Sequence, residues 1–199
     1  MNIKLSKAYI FITNQSGVTT DILSAFKLKK VPPEIGTYQS SINPNEVFMG
    51  IYKNNLVINN AQIANSLFSS MPSNTEKILI NLFPESEIAS IIENVDSGIF
   101  GYFIIDKGRR VRIKYGDLRK VIYDCGPPIL EEIEVAEREI FTEFEMEKMR
   151  KKMNKSQVSG IINSVTGWRV LNLVSKRYLG DPLTLFDSTN LNLETFTIE

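Results

Sequence analysis

Two runs rich in β-branched and aromatic residues, "GIFGYFIID" and "RRVRIKY", flank Lys107-Gly108, and no other stretch limits the fold as strongly. Strand residues point alternately to the two faces of a sheet, and a two-residue loop containing glycine folds such a pair into an antiparallel hairpin. The chain must therefore build an antiparallel sheet around this ribbon. A second hairpin is expected where "EVFMGIY" and "NLVIN" flank Lys53-Asn54, because asparagine tolerates the positive φ of a tight turn. "KAYIFIT" (7–13) and "KVIYD" (120–124) read as further strands, the second ending at "CGPP", where two prolines cannot continue a ladder. "EKILINLF" (76–83) reads as another strand, and "LETFTI" (193–198) as a closing strand within residues 191–198.

Helical signals lie between and after these strands. "TTDILSAFKLKK" (19–30) reads as a short helix with Thr19 or Thr20 as N-cap and Asp21 in its first turn. "NAQIANSLFSS" is a second helix, and "ESEIASIIEN", after Pro84, a third capped by Ser86. "VPPEIGTYQSSINPN", with prolines at 32, 33 and 44, is a surface loop. From Glu131 to Asn154 the pattern is one long charged helix. Its acids Glu131, Glu132 and Glu134 come first and its bases Arg150, Lys151 and Lys152 last, as the helix dipole favours, with Glu134/Arg138 and Glu147/Lys151 as i,i+4 pairs. Val158, Ile161, Ile162, Val165, Trp168, Leu171 and Val174 recur at helical steps up to Gly180, with Pro182 beyond. The expectation is one α+β domain over 1–199, a mostly antiparallel sheet with helices on one side and a helical C-terminal part over 131–180.

The residue inventory narrows the chemistry. With 199 residues, 43% hydrophobic and 23% charged, there is material for one buried core and no compositional case for disorder. Twenty-three basic residues balance twenty-three acidic ones, so no global field draws the chain to nucleic acid or an anionic membrane. Zero histidines remove Ser-His-Asp and Cys-His nucleophilic sites and histidine-ligated zinc. A single cysteine, Cys125, removes intramolecular disulfides and thiol-rich metal sites, and fits a reducing, cytoplasmic setting. The apolar run near the N-terminus is too short for a signal-peptide core, and no stretch approaches the roughly 18 apolar residues of a membrane helix. Neither a metal nor a cofactor is expected.

Three surfaces are candidates for binding. Gly17, Thr19 and Thr20 lie at the first strand-to-helix turn, where backbone N–H groups could hold an anion. A phosphate loop needs several glycines and a following lysine, and Gly17 stands alone, so a plain capped turn is the simpler reading. Arg110, Arg112 and Lys114 alternate with Val111, Ile113 and Tyr115, giving a cationic stripe that could contact phosphates, with Tyr102 or Tyr115 for stacking. The acid-rich segment from Glu131 to Glu147 could instead lie against that stripe. On the long helix, Ile133, Ala136, Ile140 and Phe144 form one apolar line, while Val135, Met146, Met149 and Met153 lie about half a turn away. Either the helix bends near residue 145, or its methionine side meets a partner. Asp96, Asp106, Asp117 and Asp124 fall at turns and strand ends, Glu145, Glu147 and Lys148 on an exposed helix, and Cys125 has no base beside it, so no residue is assigned a catalytic role.

From about residue 46 to 132 the order of elements resembles a family of uncharacterised bacterial domains of unknown function. The resemblance is carried by "EVFMGIYKNNLVIN", "EKILINLF", the aromatic hairpin, and "VIYDCGPPILEE", which is similar to that family's Ile-x-Asp-x-Gly-x-Pro segment at Ile122, Asp124, Gly126 and Pro128. It implies a shared fold and brings no activity. The expected function is a non-catalytic cytoplasmic module that contacts another protein or itself through the helix from Glu131 to Asn154. Anion or nucleic-acid binding through Arg110, Arg112 and Lys114 is the alternative, and a small-ligand site at the Gly17 turn the third.

Overall fold

The computed structural model describes residues 7–31, 45–182 and 191–198; most of the loop read after Val31, residues 32–44, lies outside the described residues. In chain order the elements are β1 (Lys7–Thr13), α1 (Thr20–Ala25), β2 (Leu28–Lys30), β3 (Glu46–Tyr52), β4 (Asn55–Asn59), α2 (Ala61–Asn65), α3 (Asn74–Leu82), β5 (Glu87–Asn94), β6 (Ile99–Asp106), β7 (Arg109–Gly116), β8 (Val121–Cys125), α4 (Leu130–Ala136), α5 (Glu143–Lys152), α6 (Lys155–Leu179) and β9 (Glu194–Ile198). The strands form one antiparallel sheet in the order β2-β9-β3-β4-β1-β5-β6-β7-β8. The α+β class and the antiparallel sheet are as expected. Both hairpins form, and each central pair has positive φ, 48° and 61° at Lys53-Asn54 and 47° and 71° at Lys107-Gly108, as the right-handed strand twist requires of a two-residue loop.

Two neighbouring readings are exchanged. The segment over 76–83, expected as a strand, belongs to α3, whose N-cap Ser73 accepts from the Glu76 N–H at 3.1 Å. The following "ESEIASIIEN", expected as a helix capped by Ser86, is instead β5, between β1 and β6. Ile88 and Ile92 enter one core and Ala89 and Ile91 the other, so both faces are buried and the alternation that marks a half-buried strand disappears.

Helices cover both faces of the sheet, which corrects the one-sided arrangement. Ile22 of α1, Ile63 of α2 and Leu79 of α3 pack with Ile10, Ile58 and Phe103. On the opposite face Val135 of α4 and Val170 and Val174 of α6 pack with Phe11, Phe100 and Tyr102.

The helix expected over 131–154, for which a bend near residue 145 is one of two alternatives, is broken, and earlier than residue 145. It becomes α4 and α5, separated between Ala136 and Glu143, and ends at Lys152, just before α6. Each restart is capped: Thr142 pairs reciprocally with Glu145, and Asn154 with Gln157. Such boxes satisfy N–H groups that a helix start leaves open, so these residues favour new helices over one long one. Two ion pairs fix α4, Glu131 to Arg177 of α6 and Glu132 to Arg112 of β7. The helix over Val158 to Val174 forms as α6 and stops at Gly180, whose φ is 83°.

Candidate functional site

The basic strand does not present one cationic face. Arg110 is opposite Ile105 and Arg112 opposite Ile104, so Val111 is the extra residue of a β-bulge. A bulge shifts the alternation by one position and sends Arg110 to the α3 face while Arg112 and Lys114 face α4. Arg110 donates to both oxygens of the buried Glu76, at 2.7 and 2.5 Å, to the Ser69 and Ser70 carbonyls at 3.0 Å each, and lies over the Phe103 ring. Arg112, 3% exposed, makes a two-pronged contact with Glu132 at 2.6 and 2.8 Å and reaches the Gly126 carbonyl at 2.7 Å. Lys114 bridges Glu132 at 3.2 Å and Asp124 at 3.4 Å.

On the α4 face two cations and two carboxylates therefore form a tetrad of zero net charge. Burial would raise the Glu132 carboxyl, but hydrogen bonds from Arg112, Tyr102 and the Ile129 N–H, with the charge of Lys114, bring it down to about 2. Burial, reinforced by the Glu132 carboxylate, keeps the Tyr102 phenol protonated. The acids expected to lie against the basic stripe do so, at Glu132 of α4.

The first strand-to-helix turn is an ordinary connection. Thr19 is the N-cap of the six-residue α1 but its side chain makes no capping bond, Thr20 is exposed, and a side chain at Gly17 would meet nothing within 4 Å. The turn is held by Gln15, whose amide donates to the Thr13 carbonyl at 3.0 Å and the Ser86 hydroxyl at 3.1 Å.

Met146 of α5 and its C-cap Met153 line a groove against α6. α5 contains no buried residue; Met146 and Met149 are half-buried and Met153 is 39% exposed. An open groove of about 500 Å³ runs between the helices, with Met146, Met153, Val158 and Ile162 as its apolar lining and Arg150 and Lys155 as its basic members. About half a turn from this methionine line, Phe144 is 74% exposed. It lies between Glu143 and Glu145 in sequence, and Glu147 is its i+3 neighbour. The linker before α5 is tied to α6 by Arg169, which donates to the Glu139 and Ile140 carbonyls at 3.4 Å each.

Sequence reasoning located the methionine line but missed the groove, because its other wall, Val158 and Ile162, belongs to a separate helix that starts after the Asn154 cap. It also missed the bulge, for which the only local trace is that strict alternation would leave three adjacent cations on one face. Cys125 is an exposed free thiol on the edge strand β8. Among the described residues no helix is long and apolar enough to cross a membrane. No family model matches the chain, and neither a curated protein nor a solved structure matches it.

Proposed function

We propose that the chain is a non-catalytic protein-interaction module that self-associates through α5. The observation that carries this reading is that one short helix presents two complementary features on opposite sides. Phe144, between Glu143 and Glu145, with Glu147, which pairs with Lys151, and Lys148 on the next turn, is an apolar knob in a setting that is acidic on balance. The groove lined by Met146, Met153, Val158 and Ile162, with Arg150 and Lys155, is an apolar slot in a basic setting. Phe144 points away from its own groove, so a second copy supplies the match, and a two-fold arrangement makes the exchange reciprocal. Methionine side chains suit such a slot because they reshape around an inserted ring. A short helix without buried residues is marginal in water, and association would give it a packed face. The resemblance of residues 46–132 to uncharacterised bacterial domains imports no activity, and the exposed Cys125 thiol suits the reducing cytoplasmic setting proposed here.

Sedimentation velocity over a wide concentration range tests the reading. The wild type is expected to be dimeric, and Phe144→Glu monomeric with an unchanged far-ultraviolet circular dichroism spectrum. Two charge-reversed chains, Glu143→Lys/Glu147→Lys and Arg150→Glu/Lys155→Glu, should each be monomeric alone. Mixed, they should pair, because each knob then opposes a slot of the other sign. A wild type that stays monomeric at every concentration, or a dimer indifferent to Phe144→Glu, refutes it.

A further inference from the structure

Two members of the neutral tetrad, Lys114 and Glu132, line a cavity of about 430 Å³ between β6–β8 and helices α4 and α6, away from α5. The cavity has apolar walls, among them Val121, Ala136 and Val170, and convergent polar groups, Lys114 from the sheet and Asn163 and Thr166 from α6. This volume and this mixture are those of a small-molecule site. Ile133, also in the lining, is 47% exposed, an apolar residue that a bound ligand would cover.

The polar groups specify the ligand. The charges at Arg112, Lys114, Asp124 and Glu132 cancel, and the one further charge in the lining, Glu137, is exposed at the rim, where water screens it, so the interior of the cavity favours neither an anion nor a cation. Glu132 is bound on both oxygens, by Arg112 and Lys114. Lys114, which meets two carboxylates, keeps one of its three N–H donors. Thr166 donates its hydroxyl proton to the Ile162 carbonyl at 2.7 Å, leaving its oxygen as an acceptor. Asn163, three residues away on the same side of α6, is half-buried and its carboxamide has no hydrogen-bond partner among the described residues. Its amide is open to solvent from the cavity, so a ligand offering both a donor and an acceptor would take the place of water on it.

We infer that this cavity binds an uncharged small molecule with an amide or lactam head and an apolar body. The head's carbonyl accepts from Asn163 and Lys114, its N–H donates to Asn163 and Thr166, and the body lies against Val121 and Val170.

Octanamide, with octanoate and octylamine as charged controls, tests this by nitrogen-15 and proton chemical-shift titration of the full chain. Octanamide should shift the Asn163 side-chain amide saturably and bind tighter than either control. Asn163→Leu should weaken octanamide about tenfold, the effect of one or two lost hydrogen bonds. Ala136→Trp, at an exposed position in the lining, should block binding while leaving the remaining spectrum folded. Equal affinity for the three probes, no saturable shift at Asn163, or indifference to Asn163→Leu overturns the inference. None of these variants touches α5, so the outcome is independent of self-association.

Discussion

At the scale of single residues, Glu132 concentrates the most consequence in one side chain. It closes the start of α4 by accepting from the Ile129 N–H, pairs with the buried Arg112, and helps shape the cavity. Its carboxyl is held at about 2 against the usual 4.5. A depressed carboxylate contributes stability that is fully present above the unfolded value and is lost as pH falls through the folded one. A depression of this size is worth on the order of a few kcal/mol. Urea unfolding should therefore show the stability gap between the wild type and Glu132→Gln narrowing from about pH 5 to pH 2. A gap that is constant over this window would mean that Glu132 acts through shape alone. The sequence announced the charges of this cluster but not their pairing. Arg112 and Glu132 are twenty residues apart, and a one-residue bulge decides which face Arg112 takes.

At the scale of elements, what was legible followed local chemistry. Hairpins with asparagine or glycine turns and the glycine-terminated α6 were readable because their signals lie within a few residues of the structure they direct. The exchange of helix and strand over 74–94 has the opposite cause: α3 and β5 are both short and apolar, and burial on both sides of β5 is a tertiary fact. The approach of α6 to the sheet is tertiary too. A Cβ at Gly167 would collide with the Phe100 ring, and one at Gly160 with the Leu118 carbonyl. Alanine is the better helix former by about 1 kcal/mol, so propensity alone favours Gly167→Ala. Overpacking costs about 1–3 kcal/mol and Phe100 is fully buried, so the net effect should be destabilising. A melting temperature lowered by a few degrees is expected, together with altered chemical shifts at Phe100. An unchanged or higher melting temperature would show that α6 can lift off the sheet without loss.

At the scale of the whole molecule, the order of strands departs most from the order of the sequence. The strand read from "LETFTI" forms as β9, but it lies inside the sheet, between β2 and β3, pairing Thr197 with Glu46 and Phe196 with both Val47 and Lys30. No local signal encodes that position, since the partners are separated by about three quarters of the chain. The approach is close: a Cβ at Gly50 would meet the Asn192 carbonyl at 2.5 Å, and Leu191, Leu193 and Phe196 are all buried. Removing residues 191–199 should therefore do more than trim an end. It would leave β2 without its partner, open the edge of β3, and strip apolar cover from both cores, because Phe196 belongs to one and Leu191 and Leu193 to the other. Three large apolar side chains at about 2 kcal/mol each, against a net stability of about 5–15 kcal/mol, are enough to end cooperative folding. The truncated chain should unfold without a sharp urea transition and bind a hydrophobic dye, and a synthetic peptide of residues 191–199 should restore the transition as it fills the gap. A truncated chain that keeps the wild-type urea midpoint would show that the sheet is specified without its last strand.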